Sequence, residues 1–147
     1  MNEHKIIELQ LDRKINNFLK TAEYCPFGYP AVIIVNPFIN GIPAPTIYWL
    51  SCPYLNYEVD RLEAESDLIS KLQEKLKSNF KFKNKMIKTH EKYAEQRKSL
   101  LSAEQLAEAK SISEGLYNTL MNSGVGGIKE KEAVSYTHLT LPTILRV

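Results

Sequence analysis

The chain of 147 residues is poor in cysteine, histidine and tryptophan, with two, three and one of each. Cys25 and Cys52 are too few for a disulfide scaffold. The N-terminal stretch MNEHKIIELQLDRKINNFLK is charged throughout and has no apolar core of signal-peptide length, so a cytoplasmic setting with free thiols is expected. No run approaches the roughly eighteen apolar residues of a membrane span, so no membrane partner is expected. There is no CxxC or HxxH pair, and thus no zinc spacing. No Lys-Ser/Thr follows Gly124, Gly126 and Gly127, which read as a helix-ending turn rather than a phosphate loop. No cofactor is predicted. A net charge of +2 is too small to argue for nucleic acid or a membrane surface.

With 44% apolar and 24% charged residues, the chain has the composition of one globular domain. Ile7, Leu11, Ile15, Phe18 and Leu19 recur at three and four, which predicts an amphipathic helix over residues 5–20. Pro26, Gly28 and Pro30 then forbid helix. Ala31–Val35 (AVIIV) and Thr46–Leu50 (TIYWL) read as neighbouring antiparallel strands, joined by a proline-rich loop too long for a tight hairpin. From Pro53 the period is helical, with a possible bend around Glu65 to Asp67, and another helix covers Lys83–Leu101. Ser102 and Gln105 form a capping box that opens a fourth helix, ending between Asn122 and Gly127. The expected fold class is α+β: a small antiparallel sheet, at least a two-stranded pair, packed with about four helices.

The segments YCPFGYPAVIIVNP, GIPAPTIYWLSCPYL, DRLEAE, HEKYAEQR and GVGGI together resemble a bacterial family, domain of unknown function 501. The resemblance covers about residues 24–128, and its most specific piece runs from Pro43 through Pro45, Tyr48 and Trp49 to Cys52-Pro53. It implies a protein whose activity is not established. Family members continue from GVGGI into a Lys-Cys-Leu-His motif and a closing helix, whereas this chain reads AVSYTHLTLPTILRV. The departure predicts a single domain over residues 1–133, truncated, with a non-native tail from about Val134. On that reading His138 supports no functional claim.

Cys52 is the leading candidate for chemistry, because Pro53 suits the first position of a helix whose unpaired N–H groups favour thiolate. The plain alternative is a small buried hydrophobe at a strand end. His90, Tyr93 and Arg97 share one helix face, so His90 offers a base or ligand and Arg97 an anion hold. Equally, they bond to neighbouring loops, or Arg97 pairs with Glu63 as a structural ion pair. Tyr48, Trp49, Tyr93 and Glu63 are the candidates for contacting a ligand. Cys25, Cys52 and His90 form the weak metal candidate. Lys71–Lys98 holds ten Lys or Arg against three Glu, which reads as solvated helix faces rather than a nucleic-acid surface. Two functions stay open: a cytoplasmic binding or scaffold module with a protein partner, and a small enzyme or anionic-ligand domain using Cys52, His90 and Arg97, completed by the family's Cys-Leu-His segment. Proximity of the Cys52 sulfur to the His90 ring separates them.

Overall fold

The structure, a computed structural model, describes residues 2–125. The tail expected from Val134, with His138, Gly126 and Gly127, lies outside the described residues. The first helix, α1 (Glu3–Leu11), is shorter than the spacing of its apolar residues suggests. Asn2 caps its start by accepting the Lys5 N–H, and Asp12 ends it in the left-handed region at φ 51°. The chain reverses there and runs on as strand β1 (Phe18–Tyr24), so Ile15 and Phe18 reach the core from beyond the helix and from a strand. Their spacing mimicked a helix because Ile7 and Ile15 pack into one cluster from either side of the reversal.

β1 pairs antiparallel with β2 (Pro30–Val35) across a turn that Gly28 completes at φ +83°. The loop that follows contains a two-residue hairpin absent from the sequence reading, β3 (Phe38–Ile39) with β4 (Ile42–Pro43). Asn40 and Gly41 both hold positive φ, 52° and 76°, as a type I′ turn requires. β5 (Tyr48–Leu50) then pairs antiparallel with β2 in the register Val32↔Leu50, Ile33↔Trp49, Ile34↔Tyr48, so the expected neighbours are neighbours. The sheet order is β1-β2-β5.

The helices are α2 (Pro53–Glu65), α3 (Leu68–Ser78), α4 (Phe80–Ser99), α5 (Ala103–Ile112) and α6 (Glu114–Asn122). The bend falls at Ser66 and Asp67, and the Ser102–Gln105 capping box is formed in both directions. The fourth helix of the sequence reading is two, because Ser113 turns extended and caps α6 by accepting the Leu116 N–H. The α+β class holds, with six helices among the described residues.

Among the described residues the buried apolar side chains fall into four small clusters. Ile7, Ile15, Ile33 and Val35 lie between α1 and the sheet; Ile47, Tyr93 and Val125 sit against α4. Phe38, Ala109 and Leu120 join the hairpin to α5 and α6, and Leu76 and Met86 join α3 to α4. Each fully buried side chain of this kind contributes about 1.5–3 kcal/mol. Clusters this small do not by themselves fix how the layers are oriented, and polar contacts supply that.

Candidate functional site

His90, Tyr93 and Arg97 do share a face of α4, and that face points inward: Arg97 and Tyr93 are fully buried and His90 is 1% exposed. The Tyr93 hydroxyl accepts the N–H groups of Ile47 (2.8 Å) and Tyr48 (3.4 Å). Burial pushes its pKa up to about 12, against the downward pull of those two bonds.

Arg97 donates from Nε to the Pro45 carbonyl (2.8 Å), from Nη1 to Leu120 (3.2 Å) and Ser123 (2.7 Å), and from Nη2 to Gly124 (2.8 Å). The carbonyls of Leu120 and Ser123 belong to the end of α6, where unpaired C=O groups and the negative end of the dipole favour a cation. The guanidinium also lies 5.4 Å over the Tyr93 ring. Burial lowers its pKa, but a guanidinium starts high enough to stay charged. The ion pair considered between Arg97 and Glu63 does not form. Glu63 is exposed on α2, and the Arg97 fork is spent on main-chain carbonyls.

His90 Nδ1 accepts the Val125 N–H at 3.0 Å, which assigns the ring proton to Nε2 when the ring is neutral. A Cβ on Gly124 would fall 2.1 Å from that Nδ1. Glycine is therefore required there by close approach; among the described glycines the positive φ expected of a helix stop is found at Gly28 and Gly41 and not at Gly124.

Cys52 lies elsewhere. It is the N-cap of α2 with Pro53 at the first helical position, as expected, and its N–H donates to the Ala31 carbonyl (3.2 Å). Its side chain makes no capping bond. Together with Cys25 it lines an apolar groove of about 620 Å³ between the sheet and α2. Ala31, Val32, Leu50, Leu55 and Val59 form the walls, and Tyr24, Phe27 and Tyr54 the rim. Both cysteines are free and partly exposed, and Cys25 Sγ accepts the Tyr29 N–H at 3.4 Å.

The structure thus places the candidates in two groups, Cys52 with Cys25 on the groove and His90 with Tyr93 and Arg97 in the interior. Neither His90 nor Arg97 lines the groove. No group of three or more His, Cys, Asp or Glu fit to hold a metal occurs among the described residues. Tyr48 and Trp49 border a separate cavity; the Tyr48 hydroxyl donates to Gln96 Oε1 (3.3 Å). The sequence reading missed the groove's rim. A large aromatic in a Pro-Phe-Gly turn was the available signal: Phe27 is 87% exposed, so its ring contributes little to the core.

The fold and sites define a small α+β protein in which His90, Tyr93 and Arg97 serve the interior and the two thiols line an open apolar groove. No helix among the described residues is long and apolar enough to cross a membrane. The chain belongs to the family described as Protein of unknown function (DUF501), whose model matches residues 21–146. No curated protein and no solved structure matches it. Three of the segments that carry the resemblance meet at the buried cluster: Pro45, Ile47 and Tyr48 from the first, His90, Tyr93 and Arg97 from the second, Gly124 and Val125 from the third.

Proposed function

We propose that the chain is a small cytoplasmic bacterial binding module that seats an apolar, basic-flanked segment of a partner protein in the groove between the sheet and α2. One observation carries the reading. α2 is thirteen residues long and has no buried residue, whereas a helix of that length is marginal in water unless a face is packed. Leu55 and Leu62 stay 39% and 44% exposed, and Tyr54 69%. A surface of this kind is completed by a partner.

Charge selects the partner. α2 carries Glu58, Asp60, Glu63 and Glu65 against Arg61 alone, and Glu23 lies on the groove. Lys or Arg flanking the apolar segment complements that field and excludes acidic segments. Enzymatic use of Cys52 has no such support, since the base and the anion hold proposed for it are engaged in the interior.

The test uses a Cys25→Ser variant bearing a photoreactive maleimide on Cys52. Cross-linking in extract of the source organism should yield a segment with apolar residues flanked by Lys or Arg. That segment, made as a peptide, should protect Cys52 of the unlabelled variant from alkylation, and Tyr54→Ser should abolish the protection. An acidic segment, or a peptide that leaves alkylation unchanged, would overturn the proposal.

A further inference from the structure

A second cavity, of about 490 Å³, lies where the end of α1, the Pro43–Trp49 segment and α2 meet. Its chemistry differs from that of the groove. Arg13 enters it with its guanidinium carbon 4.7 Å from the centre of the Trp49 ring. A guanidinium held over an aromatic face keeps its N–H edge free for a bidentate partner. Arg13 pairs with no carboxylate among the described residues; the nearby Glu8 is committed to Lys14 (3.1 Å) and to the Ile15 N–H (3.1 Å).

The other walls are fixed as well. Trp49 Nε1 donates to the Thr46 carbonyl at 2.8 Å, which sets the ring. The Asn56 amide nitrogen donates to the Leu50 carbonyl at 2.7 Å, which sets the carboxamide and leaves its oxygen as an acceptor. Among the described residues neither that oxygen nor the Thr46 hydroxyl has a hydrogen-bond partner in the protein. Leu11, Pro43 and Leu50 supply apolar surface.

We infer that this cavity binds a carboxylate flanked by an amide N–H and an apolar side chain. Arg13 takes the carboxylate as a fork, Asn56 accepts the amide N–H, Thr46 donates its hydroxyl, and the side chain lies against Leu11 and Leu50. One unpaired cation with no second beside it suits a monoanion better than a phosphate dianion. Two sources share this chemistry, a free N-acylated amino acid and the carboxyl-terminal residue of a polypeptide. The cavity and the groove share Leu50 and are otherwise lined by different residues.

Trp49 is the single tryptophan of the chain, so fluorescence excited selectively at tryptophan reports on the ring that walls this cavity. N-acetyl-leucine should change it saturably, N-acetyl-leucinamide should bind at least tenfold more weakly, and Arg13→Gln should lose the response. Arg13 is exposed, so that variant is expected to fold. The Trp49 indole N–H resonance provides a second readout that does not depend on quenching by Arg13. A tetrapeptide ending in free leucine that binds tighter than N-acetyl-leucine assigns the polypeptide source, and equal binding assigns the free one. An equal response to acid and amide, a response that survives in Arg13→Gln, or no response at millimolar ligand overturns the inference.

Discussion

The interior around α4 and the groove beside α2 are opposite solutions to the placing of side chains. Around α4 a histidine, a tyrosine and an arginine are buried, with hydrogen bonds to main-chain groups of two distant segments. Beside α2, tyrosines, a phenylalanine and two thiols line open apolar space. Residue type alone offers chemistry in both groups, through His90 and Arg97 in the first and Cys52 in the second. Burial and partners withdraw it from the first, because a side chain whose polar atoms are spent on main-chain groups is not available to a substrate.

Stability measurements break this comparison if it is wrong. Arg97→Ala should have the largest effect. It strips the carbonyls of Pro45, Leu120, Ser123 and Gly124 of their donor, and a loss of about 3–5 kcal/mol in urea unfolding is expected. Gly124→Ala should cost about 1–3 kcal/mol, toward the upper end because its Cβ would meet the His90 ring well inside contact distance. In a His90→Ala background the same change should cost much less, and a double-mutant cycle measures that coupling.

Tyr93→Phe leaves two main-chain N–H groups without their acceptor and should cost about 1–3 kcal/mol. It should also alter the alkaline limb. The hydroxyl of the folded protein titrates near 12, above the 10.0 of the unfolded chain. The folded state therefore holds the proton more tightly, and that stabilisation is complete below pH 10 and lost as pH rises toward 12. The wild type should lose stability across this window, and Tyr93→Phe should remove Tyr93's share of that loss. The smallest effect belongs to the groove: Phe27→Ser and Tyr54→Ser should change stability by no more than about 0.5 kcal/mol. A loss of several kcal/mol from either would place the rim in the core.

Much of the fold was legible where one local rule acted alone. β-branched residues marked β2, Ser102 with Gln105 marked the start of α5, and Cys52-Pro53 marked the entry to α2. Legibility failed where two rules competed. Ile7, Leu11 and Ile15 fit a helical period, but Asp12 takes the left-handed conformation and sends the chain back along the sheet. Asn40-Gly41 is a strong hairpin signal, obscured by the three prolines around it. The site divided in the same way. That His90, Tyr93 and Arg97 share a face follows from spacing, but which face turns inward depends on Pro45, Ile47 and Val125, which approach from far along the chain.

The Tyr93 hydroxyl and the Asn56 amide have one consequence beyond the packing they secure. Between them they occupy the Tyr48 N–H and the Leu50 carbonyl on the outer side of β5. Growth of a fibre by strand addition needs two docking edges per molecule, one to receive and one to give. Here β5 has these two groups engaged, and the other edge, β1, is interrupted by three register shifts. A strand added at β5 would have to displace these two bonds, which disfavours edge-to-edge polymerisation through this sheet.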